Sequence, residues 1–188
     1  MADRLPPIPE VQLTAAQRQA AEALAAGRRG ALFGPFVPLL RSPELLDRTQ
    51  RLGEYLRYDS ALAPRLRELA ILVTAAHFHQ PYEWHVHAPE ALRAGLTPAQ
   101  LAALAAGERP AGFAADEAVV YEFCVQLHRA HAVDDAAYAA VLGLLGERSL
   151  IELAAVCGYY TLLALVMNAA QTALPPGAVS PWGSAASS

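Results

Sequence analysis

The sequence predicts an all-α fold, and three observations carry that prediction. Alanine and leucine dominate a composition that is 54% hydrophobic and 17% charged, a balance that favours helix. No stretch alternates apolar and polar residues for long enough to make a strand. Signals for helix starts recur along the chain: a Ser or Thr before Pro, or a Thr three residues before Gln. About eight helices and no sheet are expected.

Taken in order, a Pro-rich opening (Pro6, Pro7, Pro9) leads to Thr14 and Gln17, spaced as a capping box for a helix ending near Gly27. Gly34, Pro35 and Pro38 mark a turn with a short apolar helical piece. Ser42-Pro43 supplies a cap and a proline for a helix to about Tyr58. Pro64 opens the next, to about His79, and Pro81 another, closed by Gly95 in a left-handed cap. Thr97-Pro98 starts a helix to about Ala106. Two more are expected from Asp116 to about His131 and from Asp134 to about Leu145, and a final one from Leu150 to about Ala173, before Pro175-Pro176.

With 188 residues, one domain with a short arm at each end is the natural expectation. The net charge of −4 and the lack of a Lys/Arg cluster argue against a nucleic-acid partner. The opening residues have no apolar core of a secretory signal, so the cytoplasm is the expected compartment. The stretch from Leu150 to Ala170 is apolar enough to suggest a membrane span. However, Tyr159, Tyr160 and Thr161 lie mid-span and no Lys or Arg follows, so a core or interface helix is expected instead. Cys124 and Cys157 sit in apolar runs and read as buried thiols; sequence alone leaves a disulfide between them open.

The chemistry is concentrated between Arg65 and Gly95. Glu68, Leu72, Ala75 and His79 follow one helix stripe, placing Glu68 among core residues, where lost hydration is expected to raise its pKa. Glu83 and His87 stand one turn apart on a single face, with His85 pointing away. Glu68, Glu83 and His87 are the candidate catalytic groups; Gln80, Tyr82 and Trp84 are candidates for substrate binding. Arg93 could meet a substrate carboxylate, although a solvent-facing arginine is the commoner outcome. Each group also has a structural reading: Glu68 paired with Arg65 or Arg67, His87 bonded to Glu83, and His77, His79 and His85 as packing or surface residues. His128 and His131 are expected at a helix C-terminus, favoured there by the dipole. Tyr159, Tyr160 and Asn168 read as core or interface groups. His79, Glu83 and His87 form an alternative set of metal ligands.

The spacing of these residues resembles that of the carboxymuconolactone decarboxylase and alkylhydroperoxidase D-like superfamily. That family carries a Glu in an apolar helix and a Cys-x-x-Cys twelve residues on. A His follows four residues after the second Cys, and a Gly eight residues past the His. Here Glu68, His87 and Gly95 fall on the pattern, while Gln80 and Glu83 occupy the cysteine positions. Tyr82-Glu83-Trp84-x-x-His87, with Gly158-Tyr159-Tyr160-Thr161-Leu162 and Asn168, looks like the cysteine-free, decarboxylase-like branch. The resemblance implies an alkylhydroperoxidase D-like helical bundle, with an N-terminal arm and helix at 1–34, the family domain at 35–175 and a tail at 176–188. It also implies a homo-oligomer (dimer, trimer or hexamer), with which the apolar last helix and the aromatic residues Phe33, Phe36 and Trp182 are consistent.

A thiol peroxidase cycle needs a thiolate and a resolving thiol, which an amide and a carboxylate cannot supply. No thiol-dependent peroxidase turnover above a Cys124/Cys157 double-alanine control is therefore expected, even if family membership alone suggests peroxiredoxin-like activity. What survives is acid–base chemistry without a cofactor, by a lyase or isomerase on a small oxygenated acid or lactone. The alternatives are a metal-dependent enzyme and a non-catalytic helical oligomer whose pocket is filled by side chains.

Overall fold

The computed structural model describes residues 3–183, and among these residues there are helices and no strands. In chain order the helices are α1 (Ala15–Ala26), α2 (Phe36–Leu39), α3 (Pro43–Tyr58), α4 (Pro64–His77), α5 (Pro81–Arg93), α6 (Pro98–Ala105), α7 (Ala115–Ala130) and α8 (Asp135–Ala170).

The local signals explain most of the boundaries. Thr14 accepts from the Gln17 backbone N–H while Gln17 reaches back, and Thr97 and Gln100 repeat this box at α6. Prolines stand in the first turn of α3, α4, α5 and α6, where a missing N–H costs nothing. Ser42, expected as a side-chain cap, makes no such bond, so Pro43 alone marks that start. Gly95 has φ 110°, and the Leu96 N–H reaches back to the Ala91 carbonyl to close α5. The two expected C-terminal helices run on as α8, but Gly146 leaves helical geometry with φ 77° and ψ 170°, so a break does fall between them. The helix ends at Ala170, earlier than Pro175-Pro176 suggested, because Gln171 adopts the left-handed conformation.

At the centre lies α4, packed against α5, α7 and α8 and buried from Leu66 through Ala75 apart from Arg67. A helix apolar nearly all round is stable only when neighbours cover every side. The second half of α8 is also a core helix, with Leu153, Val156, Tyr160, Leu163 and Met167 all buried. It is long and apolar enough to cross a membrane by length and composition, yet more than half of that stretch is covered by this chain. Its Glu152 is held by the Tyr55 hydroxyl, the Ala61 N–H and Arg148, tying α8 to α3 and to the link into α4. Arg65, in the first turn of α4, pairs with Asp116 and Glu117 at the start of α7.

Both arms pack back on the bundle. The Arg4 N–H donates to Ala170 O, and α1 lies on α3. Trp182 donates its Nε1–H to Ala105 O and sits edge-on to His79 and Trp84. The aromatics expected at an oligomer surface are thus largely inside: Phe36 is core, and Phe33 and Trp182 are half-buried.

Candidate active site

Two helices and the turn between them build the site. The α4 face that packs on α5 carries Glu68, and the inner face of α5 carries Glu83 and His87 one turn apart. All three are buried, at 3%, 3% and 4% exposure. Charged side chains at that depth need partners or must stay neutral.

Glu68 and His87 solve the problem together. His87 Nδ1 lies 2.7 Å from Glu68 Oε2, and Arg67 Nε approaches Glu68 Oε1 at 3.6 Å. Burial is the largest single influence on Glu68 and pushes its pKa up. His87, Arg67 and Arg57 together outweigh it, so the carboxyl ends below its ordinary value. The expectation of a raised Glu68 pKa is therefore overturned, because sequence shows the burial but not the partners. For His87 burial also dominates, and it holds the imidazole below its ordinary value despite the carboxylate beside it. An ionised Glu68 beside a neutral His87 fixes the tautomer: Nδ1–H donates to the carboxylate, and Nε2 keeps its lone pair.

Glu83 is the opposite case. Neither carboxyl oxygen has a hydrogen-bond partner, and burial alone drives its pKa well above the ordinary carboxylate range. The bond from His87 runs to Glu68 rather than to Glu83, which sets aside the reading of a core histidine satisfied one turn back. A carboxyl kept protonated and an imidazole kept neutral are two groups with pKa values moved in opposite directions, the arrangement acid–base chemistry requires.

Both groups line one cavity of about 30 Å³, enough for one or two waters. Its other walls come from Arg29, Phe33, Pro35 and Phe36 before and in α2, Arg57 of α3, Tyr82 and Val86 of α5, and Tyr160 and Leu163 of α8. Tyr160 stands edge-on to the His87 ring at 5.0 Å, its pKa driven up by burial. Arg29 stacks over Phe36 and reaches the Tyr159 hydroxyl at 3.3 Å, leaving its buried Nε unpartnered. Tyr82 packs on Gly34, whose φ of 54° favours glycine; a Cβ there would meet the ring at 2.8 Å.

Of the substrate-binding candidates, only Tyr82 reaches this cavity. Gln80 caps α5 by accepting from the Tyr82 N–H, and donates to Asn168 Oδ1 at 2.8 Å. Trp84 is buried elsewhere, against Trp182. Arg93 pairs with Glu90 at the surface. The guanidiniums in the cavity are instead Arg29 and Arg57, which come from far upstream and carry no local sequence signal.

His79 does not join Glu83 and His87. Helix α4 ends at His77, so His79 leaves the Glu68 stripe; it turns left-handed at φ 47° and lies against Trp182. Among the described residues no three His, Cys, Asp or Glu side chains are placed to hold a metal ion. His85 is exposed, and His128, rather than facing only a helix end, bonds Thr74 and stacks on His77. A wider cleft of about 820 Å³ lies beside Gln80, Asn168 and Trp182, but none of Glu68, Glu83 or His87 lines it.

The Glu68–His87 pair has a measurable consequence. Both pKa values are depressed in the folded chain, so the unfolded chain binds more protons on acidification. The pair's contribution is therefore present at neutral pH, and is lost as pH falls below about 6.5 for His87 and then about 4.5 for Glu68. Melting temperature should drop over that window, and a Glu68→Gln/His87→Gln variant should flatten the drop. An unchanged acid limb in the variant would show that the pair is not coupled to folding.

Comparison with known proteins agrees with this architecture. Residues 43–123 match the carboxymuconolactone decarboxylase family, a span that holds Glu68, Glu83 and His87. An alkylhydroperoxidase AhpD core protein, an uncharacterized peroxidase-related protein from Ralstonia eutropha JMP134, superposes with a TM-score of 0.73 at 17% identity, over 94% of each chain. The debrominase Bmp8, with 2,3,4-tribromopyrrole bound, superposes at 0.71 and 12% identity, over 97% of this chain and 95% of its own. Without ligand, Bmp8 gives the same TM-score and identity, with 96% of its chain covered. No curated protein sequence matches the chain. The chain thus has the AhpD-like fold, and its residues 43–123 are similar to the carboxymuconolactone decarboxylase family.

Proposed function

We propose that this protein is a cofactor-independent lyase or isomerase that moves protons on a small oxygenated acid or lactone, in the manner of the cysteine-free, decarboxylase-like branch of its family. One observation carries the reading: an unpartnered Glu83, whose burial favours the protonated form, and a Glu68-held His87, whose burial favours the neutral form, face the same cavity. His87 Nε2 is the base, Glu83 the acid, and Glu68 the residue that positions His87. In a decarboxylation, the electron pair of the breaking C–C bond delocalises into a carbonyl already present in the substrate, and Glu83 delivers the proton that replaces carbon dioxide. Arg29 and Arg57 in the cavity wall favour an anionic substrate.

Gln80 and Glu83 stand where a peroxidase would need thiols, so the peroxidase-related neighbour lends its fold rather than its chemistry to this reading. A homo-oligomer remains part of the proposal. It is supported by exposed apolar residues such as Ile151, at 66%, and Leu165, at 52%, on α8.

The cavity's small volume favours a second reading, a non-catalytic helical protein whose site is closed by its own side chains. One screen separates the two. Lactones and β-keto acids are offered to the wild type, Glu83→Gln and His87→Asn, following turnover and thermal shift. The enzyme reading expects turnover that falls at least about a hundredfold in either variant. Equal turnover in all three would sink the acid–base assignment, and neither turnover nor thermal shift with any acid would leave the non-catalytic reading standing.

A further inference from the structure

The two cysteines, which the acid–base site does not use, meet in the core. Cys124 of α7 and Cys157 of α8 are 33 positions apart, and their sulfurs lie 3.5 Å from each other, at van der Waals contact with no bond between them. Both side chains are buried, at 0% and 1% exposure. Thiols this close on packed helices need only side-chain rotation and a small closing movement to reach bonding distance.

Their surroundings are not those of inert core thiols. The imidazole of His128 adjoins the Cys157 sulfur and is itself held by the Thr74 hydroxyl at 2.9 Å. Since Thr74 donates its own proton to Ala70 O at 2.9 Å, it accepts from His128 Nε2–H, which fixes the ring. His77 stacks on the other face of that ring at 5.0 Å. The Cys124–Cys157 contact and His128 together bring the Cys157 thiol down to about 6, while Cys124 is pushed up. His128 also forms part of the wall of a half-open cleft of about 200 Å³, lined by Val73, His77, Tyr121 and Val125 among others. The His128 imidazole thus joins the wall of the cleft to the Cys157 sulfur.

We infer that Cys124 and Cys157 form a reversible dithiol–disulfide couple, oxidised by small peroxides that approach through the His128 cleft. The Cys157 sulfur attacks one peroxide oxygen and the O–O bond breaks. This leaves a sulfenic acid on Cys157, and the departing hydroxide takes a proton to become water. The Cys124 sulfur then attacks the sulfenic sulfur, the S–O bond breaks, and a second water leaves with the thiol proton. With hydrogen peroxide the sum is two thiols and one peroxide giving one disulfide and two waters: the sulfurs lose two electrons and the peroxide gains them. Because both sulfurs are buried, bulky reductants reach the disulfide slowly. The couple is therefore a site oxidised once per chain rather than a fast peroxidase cycle.

The test uses the full chain treated with hydrogen peroxide, followed by intact-mass measurement and a non-reducing digest. The expected result is a mass lower by two hydrogens, a cross-link between the Cys124 and Cys157 peptides, and reversal by a small phosphine. A His128→Gln variant, with both cysteines kept, should form the cross-link roughly tenfold or more slowly. Thiols that both remain alkylatable after peroxide treatment, or overoxidation of one cysteine without a cross-link, would overturn the couple. Cross-linking in His128→Gln at the wild-type rate would overturn the role given to the imidazole and the cleft. The mass readout on the wild type does not depend on any cysteine variant folding.

Discussion

Replacing Glu83 by glutamine should make the protein more stable as pH rises, and should also remove its chemistry. The Glu83 carboxyl has no partner, and its pKa is raised well above the usual value by burial. Below about pH 4.5 the carboxyl is protonated whether the chain is folded or not, so the variant and the wild type differ by a constant. Above that, the unfolded chain releases the proton while the folded chain keeps it, and the wild type loses stability until the folded pKa is passed. Glutamine has nearly the same shape and cannot ionise, so the variant lacks this loss. The gap should widen to about 1–3 kcal/mol in the alkaline range. For a chain of this length that is several degrees in melting temperature, at about 2–4 °C per kcal/mol. Turnover should fall by about a hundredfold or more, since an amide cannot deliver the proton. Melting curves for the two proteins from pH 4 to 9 decide the point, and parallel curves would mean that Glu83 ionises freely.

The second large effect is expected at Gly53. In the middle of α3 a glycine ordinarily costs about 1 kcal/mol relative to alanine, so Gly→Ala in a helix usually stabilises. Here the added Cβ would fall 1.9 Å from the Tyr159 hydroxyl oxygen and 2.4 Å from an Arg29 nitrogen. Tyr159 is only 4% exposed, so its ring has little room to retreat. Gly53→Ala should therefore destabilise by about 1–3 kcal/mol. It should also move Arg29 away from the cavity and weaken binding of small acids. Urea denaturation gives the stability and thermal shift with small carboxylates gives the binding. A neutral or stabilised variant would show that Tyr159 and Arg29 swing aside freely.

How much of this was legible beforehand differs between backbone and site. Capping boxes, prolines at helix starts and Gly95 are local signals, and they located nearly every boundary. The misjudged places, His79 and the end of α8, are left-handed turns at non-glycine residues, which no local pattern announces. Glu83 and His87 share a face because they share a helix. Glu68 could be placed in the core, but the sign of its pKa shift depended on which group stood opposite, and that is a tertiary fact. Arg29 and Arg57 reach the cavity from α3 and the segment before α2, so their role was invisible until the helices were packed. The two cysteines looked like separate small apolar residues for the same reason.

The position of Gln80 has a consequence for redesign. Its side chain does two jobs at once, capping α5 and holding Asn168 across the bundle. Installing a redox pair at positions 80 and 83 would remove the cap, at about 1 kcal/mol, and release the exposed Asn168 to water. It would also delete the proton donor proposed here. Acid–base and thiol chemistries therefore compete for the same few atoms at the head of one helix. A chain that has tied position 80 into its framework can move from one to the other only if the framework changes as well.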